Sequence, residues 1–202
     1  MTRCLEGCCR DCVVGVDDGF FERGWRYTVL CGSLYCRLGG SSWVPAGLGF
    51  ELVEVDGSDS TNAIVSLLEG LGVRPRLVLV DTPIYAGFNV ADLLEVQRVT
   101  GVPVASVHLY WPDMPAIGRA LRRHFRDWRE RLARVEVVYS LLRRLDCGRG
   151  RVVYVAAIGC GFGYVASTVC SLQLYSRVPE PLYVAGRVAS RLSRRLHGLL
   201  RG

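Results

Sequence analysis

Aspartate residues at the ends of apolar segments are the side chains in this sequence with the clearest capacity for chemistry. One such segment leads into Asp17 and Asp18, a second leads directly into Asp81, and a third leads into Asp56. Carboxylates that meet at one place repel one another unless a divalent cation joins them, and hard oxygen ligands favour Mg²⁺ or Mn²⁺ over zinc. A pair of such ions can promote hydrolysis of a phosphodiester. The ordinary alternative is that aspartates at strand ends form turns and cap helices.

The elements that carry these aspartates are short apolar runs rich in β-branched residues. Such runs predict strands over 13–16, 27–35, 50–55, 76–80, 102–109 and 152–158. Helical periodicity predicts helices over 60–71, 90–100, 115–131 and 162–175, and a C-terminal helix whose apolar face is Val184, Val188, Leu192, Leu196 and Leu199. We expect an α/β fold in which three antiparallel strands are followed by parallel strands, the mixed sheet being covered by helices. Neighbouring parallel strands would bring Asp17 and Asp81 together at the sheet edge where such folds bind ligands.

Nine cysteines accompany a chain of 202 residues, which we divide into a cysteine-rich segment, 1–12, and a single α/β domain, 13–202. The first segment holds either free thiols or a zinc site formed by Cys4, Cys8, Cys9 and Cys12. No secretory signal is visible, so a cytoplasmic protein with thiols rather than disulfides is expected. The remaining cysteines are expected to be core residues: Cys31, Cys36, Cys147, Cys160 and Cys170.

The positive charge is carried entirely by arginine, because all 25 basic residues are of that type. The absence of lysine excludes Schiff-base chemistry and a phosphate-loop lysine. Seventeen of the arginines follow residue 112, so the second half of the chain is strongly basic and an anionic partner such as DNA is expected. Two stripes at helical spacing are the candidate nucleic-acid contacts: Arg119, Arg122, Arg123 and Arg126 in one, and Arg187 and Arg191 in the other.

Aromatic residues and an uncharged stretch near the C-terminal end are further features of the sequence. Tyr85 follows Asp81 by four residues and, like Trp43 and Trp111, is a candidate to stack on a displaced base. The uncharged stretch 152–176 is interrupted by glycines, which favours a strand and a buried helix over a membrane span. Its glycines, at 159–163, suit close strand-to-helix packing, and a nucleotide-binding loop is the alternative.

An ordered series of motifs resembles a known archaeal family. They are Gly15-Val16-Asp17-Asp18-Gly19, Val55-Asp56-Gly57-Ser58-Asp59-Ser60-Thr61, Asp81-Thr82-Pro83-Ile84-Tyr85-Ala86-Gly87-Phe88-Asn89-Val90, and Pro179-Glu180-Pro181-Leu182-Tyr183-Val184-Ala185. The family is domain-of-unknown-function family ninety-nine, also called endonuclease dU, which is related to endonuclease V. The resemblance spans about 13–191 and implies a ribonuclease H-like fold.

The same resemblance implies an activity and its residues. Asp17 and Asp81 match the family's catalytic aspartates, and Asp56 is the nearest equivalent of a glutamate of endonuclease V. The residues alone leave Asp18 as either a second metal ligand or a turn residue. The implied reaction is Mg²⁺-dependent nicking of DNA near a deaminated base, with uracil as the first candidate lesion and hypoxanthine as the other. Separately, we expect no membrane contact and no obligate protein partner. Thr82-Pro83 stands where endonuclease V carries Gly-His-Gly. This departure motivates the alternative of a nucleic-acid-binding protein without catalysis.

Overall fold

A seven-stranded mixed sheet forms the centre of the protein, for which a computed structural model describes residues 11–37 and 42–200. The strands are β1 (Cys12–Asp18), β2 (Tyr27–Arg37), β3 (Trp43–Glu54), β4 (Leu77–Val80), β5 (Ile84–Tyr85), β6 (Asn89–Val90), β7 (Val104–His108), β8 (Arg143–Asp146) and β9 (Val152–Ile158). The helices are α1 (Ser60–Gly70), α2 (Leu93–Thr100), α3 (Met114–His124), α4 (Trp128–Ser140), α5 (Phe162–Leu172) and α6 (Glu180–Leu200). Strands β5 and β6 form a separate two-stranded hairpin.

The strand order of the main sheet is β3-β2-β1-β4-β7-β9-β8. The antiparallel order of β1, β2 and β3 is confirmed, as is the parallel course of β1, β4 and β7. Strand β9 differs from the expectation, because it is antiparallel to β7 and is preceded by β8 at the sheet edge. The glycine turn after β9 therefore does not belong to a parallel βαβ unit, which a dinucleotide-binding loop requires.

Two helical segments depart from the sequence-based boundaries for local reasons. The arginine-rich helix expected over 115–131 is divided into α3 and α4, because Phe125 adopts an extended conformation (φ −126°, ψ 135°). The helix expected from residue 90 begins at Leu93, where Asp92 accepts a hydrogen bond from the Glu95 N–H as its N-cap. The uncharged stretch 152–176 is divided as expected into β9 and α5.

No helix within residues 11–37 and 42–200 is long and apolar enough to cross a membrane.

The predicted thiol state is wrong for four of the six cysteines in the described part of the chain, whereas Cys31 and Cys160 are free thiols as expected. Cys12 is bonded to Cys36, and Cys147 to Cys170. The antiparallel register places Cys12 directly opposite Cys36, so that their Cα atoms are only 4.0 Å apart. Because Cys12 begins β1 and is disulfide-bonded, it is not available as a zinc ligand. Cys4, Cys8 and Cys9 lie outside the described residues.

Helix α6 packs directly on β1, and small residues allow this close approach. A Cβ at position 15 would lie 2.5 Å from the Leu182 backbone N, and one at position 19 would lie 2.6 Å from the Ala189 carbonyl oxygen. The distance along the strand from residue 15 to residue 19 is about 13 Å, and the distance along the helix from residue 181 to residue 189 is about 12 Å. The helix therefore runs parallel to β1 along one face of the strand.

This packing corrects the predicted apolar face of the C-terminal helix. Its most buried residues are Leu182, Ala185, Ala189 and Ser193, whereas Leu192 and Leu199 are exposed. The backbones of α6 and β1 approach closely at Gly15 and Gly19, which leaves room only for small side chains at Ala185, Ala189 and Ser193. The buried Ser193 hydroxyl is 2.8 Å from the Thr28 hydroxyl and accepts a hydrogen bond from the Val29 N–H.

Replacing Gly15 with Ala should destabilise the protein by about 1–3 kcal/mol, the usual cost of an extra methyl in a packed core. The added Cβ would overlap the backbone of α6, which cannot move without displacing the whole helix. Urea unfolding monitored by circular dichroism measures this change. Gly47→Ala in β3 is the matched control, because nothing lies within 4 Å of a Cβ there. Equal stability of the two variants would contradict the close packing of α6 on β1.

Candidate active site

Three carboxylates meet at the carboxyl ends of the central parallel strands. Val16 of β1 is paired with Val80 of β4, so the residues that follow them, Asp17 and Asp81, come side by side. Asp18 lies at the end of the same strand as Asp17 and, like the other two, borders a cavity of about 650 Å³. The sequence-based expectation that Asp17 and Asp81 would be neighbours thus has a direct structural counterpart in the β1–β4 register.

The three carboxylates share their environment without a cationic partner. Among the ion pairs of the described residues, none involves Asp17, Asp18 or Asp81. Burial, followed by repulsion from Asp81 and Asp18, raises the pKa of Asp17 well above its ordinary value. Burial likewise raises the pKa of Asp81 to about 7 and that of Asp18 to about 6. Negative charge at this edge is therefore costly unless a cation enters.

Hydrogen bonds fix two of these carboxylates and leave the third partly unsatisfied. Asp17 Oδ1 accepts the Asp18 N–H at 2.9 Å, and Asp18 Oδ2 accepts the Ala86 N–H at 2.6 Å. Asp81 Oδ1 is buried without a hydrogen-bond partner. An unpartnered buried carboxylate oxygen in a cavity is a fitting donor for a hard cation. The donors present thus suit Mg²⁺ or Mn²⁺.

The coordination sphere for such an ion is not preformed. Within residues 11–37 and 42–200, no three His, Cys, Asp or Glu side chains are arranged so that they could already hold a metal ion. Asp17, Asp18 and Asp81 would have to move closer together around it. Such movement is limited to side chains, since the strand ends are fixed by the sheet.

Asp56 is not brought into this group. It lies in the turn after β3, on the far side of β2 and β1 from β4, and its Oδ1 accepts the Phe88 N–H at 2.9 Å. Its own N–H donates to the Ala86 carbonyl at 2.8 Å. The backbone of Ala86 therefore connects the two aspartates, since its N–H donates to Asp18 and its carbonyl accepts from Asp56. Asp56 itself does not border the cavity.

The expectation that Tyr85 stacks on a base is corrected by its burial. Only 1 % of the residue is exposed, because the β5–β6 hairpin packs it into the core. Burial, and then the charges of Asp81, Asp17 and Asp18, raise the pKa of the phenol well above its usual value. Trp43 is also buried, with its Nε1–H donating to Ser171 Oγ. Trp111, in contrast, is 59 % exposed and borders the cavity.

The predicted arginine stripes lie on two helices next to the cavity. Arg119, Arg122 and Arg123 are exposed on α3, while Arg126 is exposed in the turn after that helix. Ile117 of α3 borders the cavity. Arg187 of α6 also borders the cavity, and Arg191 is exposed one turn further along that helix.

Among the cavity residues, His108 is the histidine that its place at a strand end puts near the site, whereas Tyr139 and Gly186 were not found by sequence reasoning. His108 of β7 is 2.7 Å from the Ser106 hydroxyl, and burial lowers its pKa to about 4, so its imidazole is neutral at physiological pH. Tyr139, on α4, places its hydroxyl 3.3 Å from the Thr82 hydroxyl. The overlooked signal is Gly186 in the middle of α6, because an interior helix glycine often marks a close contact. A Cβ there would overlap Asp17 Oδ2.

Comparison with known proteins gives the fold and the family. A protein of unknown function from Archaeoglobus fulgidus is 23% identical and superimposes with a TM-score of 0.73 over 91% of this chain and 98% of that chain. An endonuclease V from Ciona intestinalis, solved in complex with DNA containing an inosine, is 13% identical, with a TM-score of 0.64 over 92% of this chain and 86% of that one. The mixed α/β fold is thus endonuclease V-like, as expected.

One relative is similar in sequence over most of its length. The UPF0215 protein of Pyrococcus furiosus is 35% identical over 190 residues, which are 90% of this chain and 92% of the relative. The family model described as endonuclease dU matches residues 12–193, a range that contains all three cavity carboxylates and both arginine stripes. The chain belongs to the endonuclease dU family.

Proposed function

We propose that the protein is a divalent-metal-dependent endonuclease that nicks DNA near a deaminated base. The observation that carries this proposal is the group of three unpaired carboxylates, Asp17, Asp18 and Asp81, at the edge of an endonuclease V-like sheet. Family membership supports a nuclease, and the inosine-containing DNA bound by the Ciona endonuclease V supports a nucleic-acid partner. Uracil and hypoxanthine are the proposed lesions.

The carboxylates would hold Mg²⁺ or Mn²⁺ against the scissile phosphate. When bound, such an ion supplies Lewis-acid activation and neutralises developing charge on the phosphate. Ala86 N–H orients Asp18, while Asp17 is confined between Asp18 N–H and the glycine surface of α6. Asp81 presents an oxygen that has no competing hydrogen bond.

Arginines and exposed aromatic residues would bind the rest of the substrate. Arg187 borders the cavity, and the α3 stripe belongs to a helix whose Ile117 also borders it, so a strand crossing the site would meet guanidinium groups from two helices. Arginine suits this role because its planar fork can donate two hydrogen bonds to one phosphate. Tyr110 and Trp111 are 70 % and 59 % exposed beside the cavity and can stack on an unpaired base.

Nicking assays on labelled duplexes test this function. A duplex with one uracil or one hypoxanthine should be nicked in MgCl₂ or MnCl₂, not in EDTA, and faster than the undamaged duplex of the same sequence. We expect this dependence on divalent ions because no ion pair among the described residues involves Asp17, Asp18 or Asp81. Absence of nicking on uracil, hypoxanthine and abasic duplexes with either metal would overturn the proposal.

A second candidate is a nucleic-acid-binding protein without catalysis. It is favoured by the absence of a preformed metal site in the described residues and by Thr82, whose hydroxyl is engaged by Tyr139 where endonuclease V carries its Gly-His-Gly element. Binding to DNA that weakens steeply with salt, is unaffected by EDTA and is not followed by nicking would identify this case.

A further inference from the structure

The turn between β5 and β6 holds one of the cavity carboxylates while its own backbone is strained. Ala86 has φ 41° and Gly87 has φ 87°, and the left-handed region is unfavourable for any residue with a Cβ. From this turn the Ala86 N–H donates to Asp18 Oδ2. Such a conformation persists only if the surrounding structure imposes it, so the groups that hold the turn also determine where Asp18 points.

Asp56 contacts the turn on both sides of Gly87. Its N–H donates to the Ala86 carbonyl at 2.8 Å, and its carboxylate Oδ1 accepts the Phe88 N–H at 2.9 Å. Asp56 itself has φ 58°. A Cβ at position 87 would lie 3.1 Å from Asp56 Cγ and would overlap Oδ1, so the carboxylate fills the space that the glycine leaves.

Arg131 joins the same two loops to α4. Only 8 % of this arginine is exposed, and its Nη1 donates to the carbonyls of Asp56, Gly57 and Phe88 at 3.3, 2.7 and 2.5 Å. Its Nε lies 3.0 Å from the Asp127 carboxylate. A lysine has no planar fork of donors, so it could not hold both sets of acceptors in this fixed geometry. The guanidinium therefore holds the Asp56 turn and the 86–88 turn in one arrangement.

We propose that Asp56 and Arg131 are positioning residues which, through the Ala86 N–H, set the orientation of Asp18, and that Asp56 is not a metal ligand. The proposal rests on the proposed function only in treating Asp17, Asp18 and Asp81 as the metal-binding group. It assigns to Asp56 a hydrogen-bonding role that needs an oxygen acceptor and no negative charge.

The conservative variant of Asp56 separates the two roles. Asn keeps an oxygen for the Phe88 N–H and tolerates positive φ, so Asp56→Asn should bind Mn²⁺ within about 2-fold of wild type and nick at a similar rate. Asp56→Ala lacks the acceptor and should lower kcat by about 10–100-fold, the usual cost of losing an outer-shell partner, with KM for DNA unchanged. Mn²⁺ affinity is measured by calorimetry. A loss of Mn²⁺ binding in Asp56→Asn equal to that in Asp81→Asn would overturn the proposal.

Amide hydrogen exchange tests the arrangement without any nuclease activity. Arg131→Met should accelerate exchange of the Ala86 amide at least about 10-fold, since its hydrogen bond to Asp18 would no longer be held. Arg129→Met is the control, because Arg129 is exposed on the same helix with its guanidinium over Trp128. Unchanged protection of Ala86 in Arg131→Met would overturn the proposal. This result is obtained whether or not the wild-type protein nicks DNA, so the two proposals fail separately.

Discussion

Replacing Asp81 with Asn is expected to remove nicking and, in metal-free buffer at pH 8, to stabilise the protein. Nicking should fall by more than about 100-fold, since even outer-shell partners of a metal contribute 10–100-fold. The gain in stability follows from the same burial. The folded protein holds the pKa of Asp81 near 7, against about 3.9 in an unfolded chain, so ionising this carboxylate disfavours the folded state.

The raised pKa values of the cavity carboxyls determine how the free energy of unfolding changes with pH. Between about pH 4 and pH 7 the carboxyls of Asp17, Asp18 and Asp81 bind more protons in the folded protein than in the unfolded chain, which makes the free energy of unfolding in EDTA fall as pH rises. Asp18, with a pKa of about 6, contributes in the same direction as Asp81. His108 acts in the opposite direction below about pH 6.5, because burial lowers its pKa to about 4, but it is one group against three. Asp81→Asn should flatten this fall and gain on the order of a few kcal/mol at pH 8, at about 1.4 kcal/mol per pKa unit.

Urea unfolding at several pH values, in EDTA and in Mn²⁺, measures both effects. The control is Asp113→Asn, an exposed N-cap of α3, where Asn caps a helix as well as Asp does. Mn²⁺ should stabilise the wild-type protein more than Asp81→Asn. A variant that is less stable than wild type in EDTA at pH 8 would show that the surroundings stabilise the ionised Asp81 carboxylate, which would overturn the expected gain.

Replacing Gly186 with Ala should abolish activity although it improves the helix locally. Ala is favoured over Gly in a helix interior by about 1 kcal/mol, but the added Cβ would overlap Asp17 Oδ2 and lie 3.1 Å from Asp17 Cγ. Either the carboxylate rotates away from Asp81 or α6 shifts from β1. Both movements disrupt the metal-binding group, and a loss of nicking of more than about 100-fold is expected.

Gly198→Ala in the same helix provides the matched comparison. Nothing lies within 4 Å of a Cβ at that position, so this variant should gain helix stability and keep full activity. Nicking rates, Mn²⁺ affinity and thermal midpoints are measured for both variants. If Gly186→Ala kept wild-type activity, Asp17 would have room to move and would not need the position seen in the structure.

The sequence was most informative where one segment determines the outcome. The runs that end in Asp17 and Asp81 are continuous and apolar, so both strands and their common edge could be predicted. Strand β8 could not, since Arg143-Arg144-Leu145-Asp146 is mostly charged and forms a strand only by pairing with β9 at the edge of the sheet. The Cys12–Cys36 disulfide likewise depends on the β1–β2 register rather than on either residue's neighbours.

For the site residues too, the local sequence predicted where strands end but not which residues meet in the folded chain. Tyr85 looked accessible because it follows Asp81 closely, but the β5–β6 hairpin turns the chain and buries the ring. Asp56 follows a strand as Asp81 does, yet its strand lies at the far edge of the sheet. Position along the chain identified strand ends correctly, and only the strand order could show which ends meet.

The parallel course of α6 along β1 also has a consequence for how activity arises during folding. Helix α6 supplies Leu182, Tyr183, Gly186 and Arg187 to a cavity whose carboxylates belong to β1 and β4, and Thr28 and Ser193 meet across 165 residues. Contacts of such large sequence separation form late, because the loop between them must close first. Since α6 is the last element of the described residues in chain order, a chain still being synthesised lacks this wall of the cavity until residues 180–200 have been made.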